Sequence, residues 1–247
     1  MAEKHFSEQE KHTRDYLLPY LLKYIPDLAR YKVLEIGCAE GGFLNQLIRY
    51  GIEASGVELE SSRVKTARRL VPGIPIQIGD ITDPVINSLV GSDFDLIVMR
   101  DVIEHIPDRE MTFTNLSGLL KNNGFLYITF PPKYSAFAGH QQNARSIIKR
   151  LPFFHLLPRT LIQKIGLRLK EDPLLIEEVI SNYRSGLTLK EFEKLCTRYG
   201  FEIRVKELFF SRPVFKTRFG WPIIRFPAFP FIREFLASGC ECLLQKK

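Results

Sequence analysis

The sequence lacks any uninterrupted apolar run of about 18 residues, the length a membrane-spanning helix needs. Its first fifteen residues are polar and charged, without the apolar stretch of a secretory leader. Cysteine is scarce, and Cys38, Cys196, Cys240 and Cys242 show no metal-like spacing. The Cys-Glu-Cys pair, read in a strand, points both thiols to one face and suits packing. Histidines and carboxylates also fail to cluster along the chain at a metal-ligand spacing, so no metal is expected. These absences leave a chain expected in a reducing cytoplasm.

What remains is an ordinary globular composition. The 247 residues are 45% hydrophobic and 26% charged, enough for one large domain or a domain with a sizeable insertion. The net charge of +7 is unevenly placed. Residues 1–132 carry net −4, 133–170 net +8, 171–202 net −3 and 203–233 net +6. Two basic segments therefore stand apart from the rest, a feature that concerns partners and not fold.

The first informative stretch is Val33-Leu34-Glu35-Ile36-Gly37-Cys38-Ala39-Glu40-Gly41-Gly42-Phe43. A buried-strand pattern runs into a turn of small residues, then into a helical pattern through Leu44, Leu47 and Ile48. Small residues admit a ligand close to the backbone, and the helix start offers free N–H groups. Before it, Tyr16, Leu17, Tyr20, Leu21 and Tyr24 predict a helix from Ser7 to about Tyr24. That helix is placed to pack on the sheet and, in a second role, to cover the ligand.

Strands follow at 54–59, 75–78, 94–99 and 125–130, alternating with helices at 61–70, 83–90 and 109–121. Such alternation predicts a doubly wound parallel sheet with ligands at the strands' C-terminal edge. Glu58 ends strand two 21 positions after Gly37, where a carboxylate meets ribose hydroxyls in this architecture. Asp80 ends strand three beside Ile81, a pairing that suits an exocyclic amine and a ring face; Asp80 is equally a helix cap.

The loop has two readings. Gly37-x-Ala39-x-x-Gly42 is a degraded dehydrogenase fingerprint. Glu35-x-Gly37-x-Ala39-x-Gly41 resembles the E/D-x-G-x-G-x-G loop of class I S-adenosylmethionine-dependent methyltransferases, with Ala39 in place of one glycine. The ordered series Glu58, Gly79-Asp80, Phe94-Asp95-Leu96-Ile97 and Asp101-Val102-Ile103-Glu104-His105-Ile106 favours the second. It is similar to the group containing ubiquinone-biosynthesis O-methyltransferases and many small-molecule methyltransferases, over roughly residues 30–132.

The resemblance implies S-adenosyl-L-methionine as cofactor. It places Gly37, Ala39 and Gly41 at the methionine part and Glu58 at the ribose, with Glu35 and Leu59 also among the cofactor-binding residues. Asp80 and Ile81 fall to the adenine, with Arg100 and Val102 along the methionine and sulfonium. It also implies a Rossmann-like seven-stranded sheet with an antiparallel last strand, completed by strands at 201–210 and near 240–246. Thr188 and Glu191 form a capping box for the helix between. Residues 1–247 are thus expected as one domain. An inserted helical cap at 133–187 and an aromatic, basic insertion at 209–239 would grip the substrate.

Within the cap, Tyr134, His140 and Gln141 are the substrate candidates, and His140 is the candidate general base for a hydroxyl acceptor. His105 is expected to hydrogen-bond structurally and His155 to pack, while Glu104 is open between roles. Thr160 is the expected cap of a basic amphipathic helix. The expected reaction is O-methylation of a small metabolite, glycan or lipid-linked intermediate, with peripheral contact to an anionic inner membrane face. The rival readings are an RNA methyltransferase or binder, an inactive cofactor-binding scaffold and a nicotinamide dehydrogenase. Against nucleic acid, Arg100-Asp101-Val102-Ile103 stands where an amino-methylating N/D-P-P-Y/F tetrapeptide would be.

Overall fold

Strands and helices alternate from Lys32 onward in the computed structural model, which describes residues 2–227 and 232–247. Helix α1 (Ala2–His12) passes through a π-helical turn, Thr13–Leu17, into α2 (Leu18–Tyr24). The wound core follows: β1 (Lys32–Ile36), α3 (Gly42–Arg49), β2 (Glu53–Glu58), α4 (Ser61–Leu70), β3 (Ile76–Ile78), α5 (Ile86–Val90), β4 (Phe94–Arg100), α6 (Arg109–Leu119) and β5 (Leu120–Phe130). Beyond a run of short 3-10 turns come α7 (Arg159–Arg168), α8 (Pro173–Ser185), α9 (Leu189–Arg198) and β6 (Phe201–Ser211). Helix α10 (Pro213–Phe219), β7 (Ile224–Arg225), α11 (Arg233–Leu236) and β8 (Gly239–Lys246) complete the chain.

The sheet order is β3-β2-β1-β4-β5-β8-β6-β7. Strands β1 to β5 pair in parallel, and β8 runs antiparallel between β5 and β6, with Thr129 opposite Glu241. This is the expected seven-stranded core plus one addition. The two-residue β7 pairs with Phe209 and Ser211, covering backbone groups that the edge of β6 would otherwise expose. Phe229 and Phe231 of the expected aromatic segment lie outside the described residues.

Strand β4 explains why the sheet sits where it does. Leu96, Ile97, Val98 and Met99 are all fully buried, because helices cover both faces. Ile97, Met99, Ile128 and Phe130 pack with Phe113, Leu116 and Phe192 on one side. Leu96, Val98 and Tyr127 pack with Leu21, Phe43 and Leu47 on the other. Each such side chain contributes about 1.5–3 kcal/mol of burial. Cys240 and Cys242 are buried with their sulfurs 3.5 Å apart, as packing residues.

Residues 141–185 build a cluster of their own from Ile148, Phe154, Ile162, Ile176, Val179 and Ile180. Helix α7 opens at Arg159 with Pro158, not Thr160, at the cap position, since proline ends the preceding turn and presets the entry. The Thr188–Glu191 capping box forms as the sequence implies. No helix among the described residues is long and apolar enough to cross a membrane.

Candidate active site

The loop between β1 and α3 is shaped by three left-handed residues, Gly37 (φ 69°), Ala39 (φ 50°) and Gly41 (φ 79°). Ala39 adopts a conformation that disfavours a Cβ by about 1–2 kcal/mol. It is held there by its own N–H, which donates to Glu58 Oε2 at 2.8 Å. Gly37 must be glycine for a second reason: a Cβ there would run into Val102 Cγ2, just past β4. The other Glu58 oxygen accepts from the Glu60 N–H at 2.9 Å, which aims the carboxylate back over the loop. Each of these oxygens has a second lone pair.

Behind the loop, Glu35 is 1% exposed and takes Arg100 in a pair of contacts, Nη2 at 2.6 Å and Nε at 3.2 Å. The Arg100 guanidinium also lies 5.0 Å from the Phe43 ring centre. Burial pushes the Glu35 carboxyl above its ordinary range, and Arg100 offsets that only in part. Glu35 Oε2 is buried without a hydrogen-bond partner.

At the end of β3, Asp80 is exposed, and its Oδ1 accepts from the Thr82 N–H and hydroxyl, both at 2.8 Å. Ile81 is buried beside it, while Leu59 is an exposed apolar neighbour of Glu58. Asn115 of α6 fixes this corner by donating to the carbonyls of Ile81 and Asp83 at 2.7 and 2.9 Å. A hollow of ≈ 360 Å³ opens there against Gly79, Asp80, Ile86 and Leu89.

Helix α1 lies across the loop. Gln9 Oε1 accepts the Gly42 N–H at 3.0 Å, and Glu10 Oε1 accepts from Asn45 and Gln46 at 2.8 and 2.9 Å. The N-terminal helix thus begins at Ala2, ahead of the expected Ser7, and its first segment packs on the loop.

Past β4, Asp101 turns left-handed (φ 54°), and its Oδ1 takes Arg212 at 2.5 Å and Thr129 at 3.1 Å. Burial works against its charge, but Arg212 and Thr129 prevail and hold the carboxyl below its ordinary value. Gly239 admits Arg212, since a Cβ there would meet Arg212 Nε at 2.5 Å. Next come Glu104 and His105, and the ring of His140 stands 5.0 Å from that of His105. Burial, then the neighbouring His105, lowers His140 to about 4, so its imidazole is neutral. Burial likewise lowers His105.

Of the substrate candidates, Gln141 lies away from solvent and Tyr134 stays partly exposed. Gln141 is fully buried, donating to the carbonyls of Ala136 and Leu151 at 2.8 and 3.2 Å, because the cap needs a clamp at that turn. Tyr134 stacks on Phe235 with ring centres 5.5 Å apart. His155 packs as expected, with Nε2 3.0 Å from the Lys133 carbonyl. Asn182, Arg212 and Glu241 carry no signal in the sequence, because each reaches this edge through tertiary contact alone.

The family model described as a methyltransferase domain matches residues 8–205, well over half of the chain. The chain belongs to the class I S-adenosylmethionine-dependent methyltransferases. It is 28% identical over 142 residues to the ubiquinone biosynthesis O-methyltransferase of Histophilus somni, covering 55% of this chain and 60% of that protein. The same enzyme of Pasteurella multocida is 27% identical over 147 residues, covering 55% of this chain and 61% of its own length. The methyltransferase domain therefore matches about three fifths of those relatives.

In fold, this methyltransferase is similar to the plantazolicin methyltransferase BamL, solved with a triazolic desmethylPZN analogue and S-adenosylhomocysteine. That match has a TM-score of 0.63 at 14% identity and covers 99% of this chain and 89% of that one. It is similar too to the magnesium protoporphyrin IX methyltransferase of Synechocystis PCC 6803. There the TM-score is 0.56 at 14% identity, covering 98% and 84%.

Proposed function

We propose that the domain methylates a hydroxyl oxygen of a small metabolite, glycan or lipid-linked intermediate. The observation that carries the acceptor half is the pair of neutral imidazoles, His105 and His140, at the mouth of β4. A neutral nitrogen there accepts a hydrogen bond from an acceptor hydroxyl.

The loop side supports the cofactor assignment residue by residue. Glu35 Oε2, buried and unpartnered, fits an ammonium donor; the Glu58 carboxylate fits two ribose hydroxyls. Gly37, Ala39 and Gly41 let the backbone approach, while Leu59, Asp80 and Ile81 offer apolar surface and an acceptor for the base. Arg100 and Val102 close the strand-four side. S-adenosylmethionine, when bound, supplies a methyl group already activated by a sulfonium. The chain's own contribution is then alignment, worth about 7–11 kcal/mol, and handling of the acceptor's proton. With its pKa near 4, His140 takes a proton only from a hydroxyl that has been made acidic.

A screen with methyl-labelled cofactor against sugars, nucleotide-sugars, lipid-linked glycans and quinone precursors tests this reading. His140→Ala is expected to slow turnover about 10²–10⁴-fold while S-adenosylhomocysteine affinity stays within about twofold. Unchanged turnover in that variant removes His140 from the reaction. Label incorporated only into amines or carbon would reject the hydroxyl acceptor.

A lipid-linked acceptor is favoured among these by the outer face of α7. Leu161 and Leu167 are exposed on that helix, Leu169 just past it and Leu174 at the start of α8, in the same stretch as Lys164, Arg168 and Lys170, none of which is ion-paired among the described residues.

A further inference from the structure

Along the chain His140 stands 35 positions after His105, and nothing in that interval suggests a ligand set. The fold closes the gap. Glu104, His105 and His140 each present one ligand-capable atom, and these atoms lie within 4.8 Å of one another. We propose that they form a binding site for one divalent first-row transition cation.

Three further observations support a built site. Glu104 is 4% exposed, yet neither carboxylate oxygen has a hydrogen-bond partner, while Oε1 faces His105 Nε2 at 3.9 Å. A buried carboxylate facing an imidazole without a bridging partner is costly unless something sits between them. Second, His105 is oriented from behind. Its Nδ1 meets Asn182 Oδ1 at 3.2 Å, which leaves Nε2 to face the cluster. The Asn182 amide nitrogen donates to the Gly139 carbonyl at 3.2 Å, so one side chain positions His105 and the residue before His140 together. Third, His140 is fixed in a left-handed turn (φ 59°), and its loop is pressed on His155, which a Cβ at Gly139 would strike. Strain of this kind persists where surrounding structure over-determines it.

Two imidazoles and one carboxylate select the cation class. Such a set suits manganese, iron, cobalt, nickel or zinc, whereas magnesium and calcium favour oxygen ligands. Bonds of about 2.0–2.2 Å would draw the donors to roughly 3.0–3.4 Å from one another, a closure that side-chain rotation of His140, 24% exposed, would supply. Three protein ligands leave a coordination position open, and an acceptor hydroxyl placed there would be acidified and would release its proton to solvent, His140 then holding the cation instead of acting as base. That use rests on the acceptor reading above; the binding site itself does not.

The test uses the full-length protein, stripped with a chelator and dialysed, with no acceptor present. Cobalt(II), followed by visible absorption and calorimetry, is expected to bind one equivalent, and zinc(II) to displace it. Glu104→Gln and His140→Ala should each weaken binding at least tenfold, and Asn182→Ala about 10–100-fold. S-adenosylhomocysteine binding and the melting curve of each variant report that the fold is intact. Failure of cobalt, manganese and zinc to bind saturably, or equal affinity in the wild type and the His140→Ala variant, would overturn the site. Intact cobalt binding without methylation of any hydroxyl acceptor would fault the functional reading alone.

Discussion

Glu241 stands in the closing strand opposite Thr129 and Glu207, under the tyrosines of the N-terminal segment. Burial raises its carboxyl to about 7, although Tyr16 donates to it at 2.8 Å and Arg212 lies near. The unfolded carboxyl releases its proton near 4.5 and the folded one near 7. Between those values the native state holds the extra proton, so this group's contribution to stability falls as pH rises. The swing is about 3 kcal/mol. Glu241→Gln is therefore expected to unfold at higher urea than the wild type at pH 8, with the advantage gone at pH 4. Equal midpoints at pH 8 would rule out an uncompensated buried charge. Nothing in Cys240-Glu241-Cys242 announces this, because alternation reads a glutamate between two apolar residues as solvent-facing. Here the N-terminal helix covers that face.

At the scale of elements, the decisive contact is α1 across the loop between β1 and α3. The loop itself was legible, since Gly37, Ala39 and Gly41 occur where the three left-handed residues are needed. Its cover was only partly so. The apolar face from Tyr16 to Tyr24 marks a helix, but Ala2–His12 is held by Gln9 and Glu10 through polar contacts that leave no periodic trace. Gly42 is the joint: a Cβ there would lie 2.5 Å from the Phe6 carbonyl oxygen and 3.1 Å from the Glu10 nitrogen, both backbone. Gly42→Ala is expected to lift α1 at a cost of about 1–3 kcal/mol. Limited proteolysis with mass analysis should then show faster cleavage within residues 2–12, with the sheet domain uncut. An unchanged cleavage rate would mean that the helix yields without detaching.

For the whole molecule, the structure divides the two basic segments that composition treats alike. Of the seven cations at 203–233, all but Lys216 are in ion pairs: Arg204–Glu202, Lys206–Glu193, Arg212–Asp101, Arg218–Glu8, Arg225–Glu207 and Arg233–Glu193. This second basic segment is largely neutralised by the fold, which weakens the RNA reading along with it. Lys149, Arg150, Lys164, Arg168 and Lys170 of the cap form no ion pair among the described residues and border exposed leucines. Vesicles rich in phosphatidylglycerol are expected to sediment the wild type at low salt, and changing Lys164, Arg168 and Lys170 to Gln should abolish this. Arg218→Gln with Arg225→Gln should leave it intact. The reverse ranking would move the contact to the other segment.

The sequence by itself determined the wound sheet, the small-residue loop after β1 and the acids that end β2 and β3. These depend on local periodicity, on turn residues and on spacing along one chain. Tertiary structure alone decided which charges are free and which carboxylates are buried. It also brought His140 to Glu104 and His105. Such properties depend on which distant side chain fills the space beside a group, and its desolvation and pairing follow from that neighbour.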